Sequence, residues 1–504
     1  MAAGHPDRPG PGVSQFPRAA IELTGDQDRA LAAFTDWLTG EQPDVPFVLS
    51  GYAGSGKTFL SMRLLRQVEA SGLCWTVVAP THKAVGVLRQ ALSLEGLQPT
   101  WYPSTIHRLL RLKLRRQGDR ELCESTEQTA MALEHLGLVL IDEASMVDSS
   151  LLTIALQCAY PFRTRLVFVG DPAQLPPVGE AESPVFALQR ARSACLTQVV
   201  RHQGPVLQLA SCLRDGRIAC ERPPLFQPWR TPQGCVAALE RQTWLGRAQA
   251  ALKQASISDN PDAARILCWT NRSLEQLVPH ARRAIHGELA DQMPVLPGEV
   301  LITRTAVMAP ASRDGGETGE EPDLVLGSNR ELVVEDVTPE RCDLVDFGLS
   351  AADLQTDGVL APVIDTQMVQ VRCGELELSL RLLPPAGSEP RQQLDRCLQR
   401  LRQQAREAGK RDGRGLWRRF FLVRDAFASL GPAAVLTVHR SQGSSFGEVF
   451  VADDVFWPQD LALRRQLVYV AVSRAREGVW MVGRGGAGNA AERWQAALRA
   501  DGDR

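Results

Sequence analysis

Short apolar runs, each followed by polar residues, recur through the first part of the chain. They lie at residues 47–50, 75–79, 138–141 and 166–169, with amphipathic stretches between them. Runs of this kind predict strands that are buried on both faces of a parallel sheet, with helices as the connections. The predicted fold class is therefore α/β, in which ligands bind at the carboxyl ends of the strands.

The same pattern returns in the second half of the chain after an interruption. Strands are predicted at residues 266–271, 434–438, 448–451 and 479–482. Between them the chain has short β-rich runs at 300–303, 332–334, 368–372 and 376–380, broken by an acidic, glycine-rich loop at 312–323. A basic helical stretch follows at 391–419. We interpret this interruption as an inserted small β-barrel followed by basic helices.

These patterns predict the following domains. Residues 1–20 form a disordered tail, and residues 21–203 form the first α/β domain, with a pin-like insertion at 108–134. The second α/β domain is built from residues 204–290 and 425–487, separated by the insertion at 291–424. Residues 488–504 form a C-terminal tail.

The pin-like insertion is predicted from an alternation of leucine with arginine or lysine. The stretch at 107–117 reads HRLLRLKLRRQ and is followed by Gly118 and Asp119. Alternation before a Gly-Asp turn indicates a projecting basic hairpin. A basic helix and a solvated charged face remain alternatives.

Composition narrows the choice of protein class. The 504 residues carry a net charge of −2, so the chain has no overall excess of positive charge that would favour nucleic-acid binding. A local groove can still be basic. No apolar run approaches the roughly 18 residues of a membrane span. The 11 cysteines include no C-x-x-C pair, so reduced thiols and a cytoplasmic protein are expected, associated with the nucleoid if it is bacterial.

A glycine-rich octapeptide joins the first predicted strand to an amphipathic helix. Strand, glycine-rich loop and helix in this order form a phosphate-binding loop, in which backbone N–H groups surround a phosphate. Lys57 supplies a cation to the β- and γ-phosphates, and the Thr58 hydroxyl is placed for Mg²⁺. The predicted ATP-binding residues of the loop are Gly51, Tyr52, Ala53, Gly54, Ser55, Gly56, Lys57 and Thr58.

Two further strand ends carry polar residues with predicted catalytic roles. Asp142 follows the run at 138–141 and is placed to hold Mg²⁺ opposite Thr58. Glu143, beside it, is a candidate general base for the attacking water. Gln174 follows the run at 166–169, and its neutral amide can report on the γ-phosphate.

Together with the flanking segments, these residues resemble the motifs of superfamily 1 helicases, and within them the RecD/Dda-like branch. The resemblance extends over about residues 21–484. The matching segments are LTGDQ at 23–27, GYAGSGKT at 51–58, VAPTHKA at 78–84, STIH at 104–107, DEASM at 142–146, GDPAQ at 170–174, LTQVVR at 196–201, TVHRSQG at 437–443 and YVAVSRAR at 469–476.

The resemblance implies a two-domain ATP site. Both α/β domains are expected to be RecA-like, with Gln27 reading the adenine. Arg201 and Arg474 are expected to act as arginine fingers that the second domain directs at a nucleotide held by the first. Arginine suits this role because its planar fork can meet the charge of phosphoryl transfer.

The resemblance also implies a track for single-stranded DNA. Hydroxyl and imidazole groups in such a track hold the strand without reading its sequence. The expected DNA-binding residues are Thr81, His82, Thr105, His107, Thr437, His439, Ser441 and Gln442.

The function that follows is an ATP- and Mg²⁺-dependent DNA helicase that moves 5′-to-3′ on single-stranded DNA and acts as a monomer. Expected partners are single-stranded and tailed duplex DNA, together with single-strand-binding, replication or repair proteins. Two alternatives remain open. One is a translocase that displaces proteins with little unwinding, since the hairpin has no aromatic residue near its tip. The other is a nucleotide-gated single-strand binding adaptor.

Overall fold

A computed structural model describes residues 22–117, 120–177, 179–198, 204–309, 324–347, 363–485 and the positions 349, 355–356, 359–360, 492, 494, 496 and 498. The predicted tail at 1–20, the loop at 312–323, the turn at Gly118 and Asp119, and most of 488–504 lie outside these residues. None of the described helices combines the length and the apolar character that a membrane crossing requires.

The first α/β domain is built on a parallel sheet, as the apolar runs predict. Its strands are β1 (Phe47–Gly51), β2 (Trp75–Ala79), β3 (Ser104–Thr105), β4 (Lys113–Gln117), β5 (Arg120–Glu124), β6 (Leu138–Ile141), β7 (Arg165–Gly170) and β8 (Arg192–Leu196). Its helices are α1 (Gly25–Thr39), α2 (Lys57–Ala70), α3 (His82–Glu95), α4 (Ile106–Leu109), α5 (Glu127–Ala130) and α6 (Ser149–Ala159). The sheet order is β3-β2-β6-β7-β1-β8, and its neighbouring strands all pair in parallel.

The central strands β1, β2, β6 and β7 are buried along almost their whole length, because separate apolar clusters cover the two faces of the sheet. The edge strand β8 is largely exposed, and the sequence pattern does not predict it because it lacks a continuous apolar run. Strands β4 and β5 pair antiparallel and form a two-stranded ribbon in the segment where the pin is predicted.

The second α/β domain has a mixed sheet. Its elements are α7 (Pro205–Arg214), β9 (Phe226–Thr231), β10 (Gly234–Leu239), α8 (Arg241–Ile257), β11 (Ala264–Cys268), α9 (Asn271–His286) and α10 (Leu289–Gln292). Three later strands complete the sheet: β21 (Val435–Thr437), β22 (Phe446–Val451) and β23 (Ala475–Val482). The order is β21-β11-β22-β23-β10-β9, and only the β9–β10 pair is antiparallel in the described part of the sheet. Apolar clusters again cover both faces.

The inserted segment forms a third, antiparallel sheet and a helical hairpin. Its elements are β12 (Val300–Thr303), β13 (Val307–Met308), β14 (Leu324–Leu326), β15 (Glu331–Asp343), β16 (Gln355–Thr356), β17 (Val359–Leu360), β18 (Val363–Cys373), β19 (Leu376–Arg381), α11 (Glu389–Glu407), α12 (Gly409–Asp425) and β20 (Leu430–Pro432). The chain then returns to the second domain through β21 (Val435–Thr437), β22 (Phe446–Val451), α13 (Leu461–Ser473) and β23 (Ala475–Val482). Short 3₁₀ turns occur at Ala144–Met146, Pro184–Ala187, Pro261–Ala263, Leu344–Phe347, His439–Ser441 and Asp453–Phe456.

The five-stranded sheet of the insertion has the order β19-β18-β15-β12-β20. An isolated bridge between Leu382 and Ala428 joins the chain just after β19 to the chain just before β20, so the two sheet edges meet at that point. A fully closed barrel stays a prediction. The predicted boundary at residue 424 is wrong, because β20 pairs with β12 and extends the insertion to Pro432.

One face of the second sheet is covered by an apolar cluster that contains three aromatic rings grouped around Phe450 of β22. The Phe450 ring lies 6.3 Å from the ring of Trp244 and 6.3 Å from that of Trp480, and the three side chains are almost completely buried. We expect Phe450→Ala to lower the free energy of unfolding by about 3–5 kcal/mol, through lost burial and the cavity left behind. Denaturant unfolding followed by tryptophan fluorescence measures the change.

The matched control is Leu461→Ala, since the Leu461 side chain on α13 is exposed. This change is expected to alter stability by less than about 0.5 kcal/mol. Equal losses for the two variants would contradict the assignment of Phe450 to the core.

Candidate active site

The octapeptide forms a loop between β1 and α2, as the sequence predicts. Gly54 and Gly56 have φ angles of 80° and 83°, in the left-handed region that glycine adopts without strain. Lys57 opens α2, and its ammonium group donates to the carbonyl oxygens of Gly51 and Tyr52 at 2.8 and 3.0 Å. The cation is therefore held over the loop, where phosphate oxygens would compete with these carbonyls.

The amide of Gln27, the predicted adenine reader, bonds to the protein at both ends. Its Oε1 accepts a hydrogen bond from the Thr24 amide at 3.1 Å, as part of the capping box that starts α1. Its Nε2 donates to the carbonyl of Ser55 in the phosphate loop at 3.1 Å, and the residue is buried. Gln27 thus connects α1 to the phosphate loop. Contact between Gln27 and adenine stays a prediction, because the Gln27 amide would have to exchange its bonds to Thr24 and Ser55 for bonds to the base.

Asp26 ties the start of α1 to the end of β8. One carboxylate oxygen accepts hydrogen bonds from the Thr197 hydroxyl and from the amides of Thr197 and Gln198 at 2.6–2.9 Å. These bonds hold the pKa of Asp26 below its usual value. Arg201 follows Gln198 by three positions in the sequence and lies outside the described residues.

Asp142 and Glu143 lie at the carboxyl end of β6. The Asp142 carboxylate accepts a hydrogen bond from the Glu143 amide at 2.9 Å. Burial and the neighbouring Glu143 charge raise the pKa of Asp142 to about 7. Glu143 has a φ angle of 53°, an uncommon conformation for a non-glycine residue that is often found at functional sites.

These groups fit the usual coordination of Mg²⁺. That ion typically takes one or two side-chain oxygens and completes its shell with water and substrate phosphates. Thr58 offers a hydroxyl and Asp142 a carboxylate that a cation would return to its charged form. No group of three or more His, Cys, Asp or Glu side chains in the described residues could hold a metal by itself.

Three buried polar atoms from the predicted site lack hydrogen-bond partners among the described residues. They are Oγ of Ser55, Oε1 of Gln174 and Nε of Arg474. Such atoms are rare in folded proteins because burial without a partner costs roughly 1–3 kcal/mol each. Arg474 uses its remaining nitrogens on the Ser444 carbonyl and the Ser473 hydroxyl. These three atoms come from three sequence motifs and could form hydrogen bonds with a polar ligand such as a nucleoside triphosphate.

The two α/β domains contact each other at the phosphate loop and at the exit of β7. The Tyr469 hydroxyl of α13 accepts a hydrogen bond from the Ala53 amide at 2.9 Å and donates to Asp171 at 2.7 Å. The Arg214 guanidinium lies 4.0 Å from the centre of the Tyr52 ring. These contacts join a loop of the first domain to two helices of the second.

A second group of contacts joins the domains near the predicted DNA track. Gln442 donates to the carbonyl of Leu175 at 3.0 Å. Gly443 approaches α3 so closely that an added Cβ would lie 3.0 Å from the Thr81 hydroxyl. Lys83 forms ion pairs with Asp262 of the second domain and Glu331 of the insertion, at 3.2 and 3.0 Å.

The predicted DNA-binding residues fall into two groups. Thr81 and Thr105 cap the N-termini of α3 and α4, and Thr437 accepts from the Arg440 amide. His82, His107 and His439 are half-buried, and burial lowers the pKa of each. Thr105, Thr437, Ser441 and Gln442 are all buried. Ser441 and Gln442 differ from the two threonines because their side chains donate to the backbone carbonyls of Val438 and Leu175, so these groups are engaged within the protein and do not face DNA in this conformation.

The surroundings of His82 are strongly basic. Burial and the charges of Arg330, Arg89 and Arg108 lower the pKa of His82 to about 4. Arg330 belongs to the insertion, whereas Arg89 and Arg108 belong to the first domain. Positive charges from two parts of the molecule therefore converge beside a predicted DNA contact.

Comparison with known proteins finds two family models and several relatives. A model described as an AAA domain matches residues 22–222, and a model of the UvrD-like helicase C-terminal domain matches residues 432–482. The chain is similar to ATP-dependent DNA helicase dda of Enterobacteria phage T4, at 22% identity over 86% of this chain and 93% of that protein.

The chain is also similar to a second helicase sequence and to a solved structure. The ATP-dependent RecD2 DNA helicase of Deinococcus radiodurans is 34% identical over 37% of this chain and 23% of its own length. A crystal structure of Pif1 helicase from Bacteroides, in complex with ADP-AlF3 and single-stranded DNA, covers 96% of this chain and 99% of that one. The TM-score is 0.44 and the sequence identity 16%.

Two residues of the junction lie in segments that match helicase motifs, but the sequence does not indicate the polar contacts that they make. Tyr469 lies in a nearly continuous apolar stretch of α13, a pattern that is typical of a core residue. Asp26 has the position of an ordinary acidic residue in the first turn of a helix. Their polar contacts come from segments far away in the chain, so local patterns do not indicate them.

The depressed pKa of His82 predicts a pH-dependent stability. Because the folded-state pKa of about 4 lies below the usual 6.5, protons bind more strongly to the unfolded chain. The contribution of His82 to the free energy of unfolding is therefore complete above about pH 6.5 and is lost as the pH falls towards 4. We expect His82→Gln to remove on the order of 1 kcal/mol of this loss, allowing for solvent screening. Thermal midpoints at pH 7, 5.5 and 4.5 measure it.

The control variant is His135→Gln, which changes an exposed histidine. It should follow the wild-type pH profile. A His82→Gln profile that matches the wild type at all three pH values would contradict the assignment.

Proposed function

We propose that this chain, which belongs to the RecD/Dda-like branch of superfamily 1, is an ATP-dependent DNA helicase that moves along single-stranded DNA. The observation that carries the proposal is the junction between the two α/β domains. There the phosphate loop and the exit of β7 in the first domain contact the segments of the second domain that carry Tyr469, Gln442 and Arg474. A nucleotide at this junction would bind both domains, so its hydrolysis would change how they meet.

The first domain supplies most of the groups for ATP hydrolysis. Lys57 would exchange its two carbonyl partners for the β- and γ-phosphates. Thr58 and Asp142 would hold Mg²⁺, which when bound neutralises charge on the phosphates. Glu143 would act as general base, and its position beside Asp142 supports that role. Gln174 would use its unpaired Oε1 to orient the attacking water.

The second domain would supply positive charge to the transition state. Arg474 is buried at the end of α13 and keeps one nitrogen unpaired among the described residues. A planar guanidinium in a buried site stabilises phosphoryl transfer strongly. Arg201, at the end of the predicted first domain, would be the second finger, and the Asp26 contacts hold Thr197 and Gln198 a few residues before it in the sequence. Gln27 would read adenine by exchanging its bonds to Thr24 and Ser55.

Single-stranded DNA would lie across the two domains and the insertion. Thr81, His82, Thr105 and His107 would contact it from the first domain, and Thr437 and His439 from the second. The arginines around His82 support this placement, because phosphates lower the cost of bringing those charges together. Ser441 and Gln442 would act indirectly, by holding the segment between β21 and β22 against the first domain.

Movement is proposed to run 5′-to-3′, as the RecD/Dda-like branch implies. Closure of the two RecA-like domains on ATP and reopening after hydrolysis would advance the strand. The ribbon of β4 and β5 would meet the duplex as a pin, and the insertion would complete the path as a small barrel. Tailed duplex DNA is the proposed substrate, with single-strand-binding, replication or repair proteins as partners of a monomer in the cytoplasm or nucleoid.

A protein-displacing translocase is the second candidate. The sequence of the ribbon, at 113–124, contains no aromatic residue that could stack on a base pair. A pin without such a residue favours movement over strand separation. A nucleotide-gated adaptor is less favoured, because Lys57, Asp142, Glu143, Gln174 and Arg474 are all present.

Lys57→Ala is expected to lower DNA-stimulated ATP turnover by roughly a hundredfold or more, because the phosphates lose their main cation. The control is Lys253→Ala, which removes an exposed lysine of α8 and should leave turnover unchanged. Steady-state phosphate release with single-stranded DNA measures both. Wild-type turnover in Lys57→Ala would overturn the assignment of the ATP site.

Strand displacement should distinguish the two enzymatic candidates. A helicase of the proposed polarity separates a 5′-tailed duplex with ATP and Mg²⁺ and leaves a 3′-tailed duplex paired. Removal of streptavidin from a biotinylated single strand, without separation of either duplex, would instead support the translocase. Separation of the 3′-tailed duplex alone would contradict the polarity.

A further inference from the structure

Tyr469 is the point at which three parts of the junction meet through one oxygen atom. Its hydroxyl accepts from the Ala53 amide in the phosphate loop and donates to the Asp171 carboxylate at the exit of β7. The side chain comes from α13 of the second domain and is 1% exposed. One phenol therefore links the loop, the β7 exit and the helix that leads to Arg474.

The carboxylate partner of this hydroxyl is buried and has a second hydrogen bond. The Asp171 side chain is completely buried, and its other oxygen accepts from the Ala173 amide at 3.0 Å. A buried carboxylate needs such donors because an unpaired charge would be costly. Burial and the Asp171 charge raise the pKa of Tyr469, so the phenol keeps the proton that it donates.

The position of Tyr469 on α13 connects this bridge to the predicted arginine finger. Arg474 follows the last residue of that helix, about 7.5 Å further along the axis. Its guanidinium bonds to Ser444 and Ser473, both within the second domain. Among the contacts described, the Tyr469 hydroxyl is thus the polar link between the phosphate loop and the helix that carries Arg474.

We propose that Tyr469 is a positioning residue whose hydroxyl sets the distance between the phosphate loop and Arg474. The proposal rests on the proposed ATPase, in which Arg474 meets the charge of the γ-phosphate. While the bridge is intact, α13 is held against the loop and Arg474 is within reach of the transition state. Without the hydroxyl, the nucleotide still binds to the first domain, but the arginine is less often in place.

The ring of Tyr469 has a separate, structural task. It packs in the apolar cluster that covers one face of the second sheet. Tyr469→Phe keeps this packing and removes the bridging oxygen, so it separates the two tasks. Tyr160→Phe is the matched control, because Tyr160 is exposed at the end of α6.

The first measurement is steady-state ATP turnover with single-stranded DNA. We expect kcat of Tyr469→Phe to fall about tenfold, the effect of one hydrogen bond to a charged group, with KM for ATP within about twofold of wild type. The dissociation constant for the fluorescent analogue mant-ATP should also be unchanged. Tyr160→Phe should match the wild type in all three values. Unchanged kcat in Tyr469→Phe, or a loss confined to KM, would overturn the proposal.

The second measurement tests whether Tyr469 acts through Arg474. Single-turnover hydrolysis is compared for wild type, Tyr469→Phe, Arg474→Ala and the double variant. In the Arg474→Ala background, Tyr469→Phe should cause less than about a twofold further loss. A tenfold further loss would show that the hydroxyl acts on the loop independently of the arginine, against the proposal.

Failure of the inference differs from failure of the proposed function. A wild-type chain with no DNA-stimulated ATP turnover would refute the function, whereas an active wild type with Tyr469→Phe equal to Tyr160→Phe refutes only the inference. If Tyr469→Phe does not bind mant-ATP, Asp171→Asn takes its place, since it keeps the shape and weakens the acceptor. It should show the same fall in kcat, and unchanged kcat there would overturn the proposal.

Discussion

Polar groups buried between the two α/β domains must find hydrogen-bond partners within the junction, because burial separates them from bulk water. Tyr469, Asp171 and the Ala53 amide satisfy one another in this way, and Gln442 does the same with Leu175. The rest of the site follows from this constraint. Strands of the first sheet end at the junction, so their polar exits face the helices and loops of the second domain. Among the buried polar atoms of the described residues that have no hydrogen-bond partner, those of Ser55, Gln174 and Arg474 belong to predicted site residues and are therefore candidates for ligand contact.

The buried strands and the phosphate loop could be predicted because their causes are local. A strand covered on both faces must be continuously apolar, and 47–50, 75–79, 138–141 and 166–169 are. The loop needs glycines with positive φ beside a lysine, and these are also adjacent in the chain. Strand β8 could not be predicted in this way. It lies at a sheet edge, where exposed and buried residues mix without a clear period.

The contacts between domains could not be predicted from local patterns, because each partner looks ordinary in its own segment. Gln442 matches a motif that implies DNA binding, yet its side chain reaches the Leu175 carbonyl of the first domain. Gln27 likewise matches an adenine-reading position, while its amide completes a helix cap and holds the Ser55 carbonyl. Resemblance identifies such residues as important, and the structure changes what several of them touch.

The return of the chain through β20 has a consequence for how the insertion can be exchanged. The insertion begins at β12 and ends at β20, and these two strands lie side by side, with Leu301 opposite Pro432. Neighbouring strands are about 4.8 Å apart, so entry and exit are separated by little more than one residue's length. A unit whose ends are this close can be enlarged, shortened or replaced by a tight turn without stretching the sheet that hosts it. The second domain can thus accept insertions of different size and fold at this position, while the geometry of the ATP-binding core stays the same.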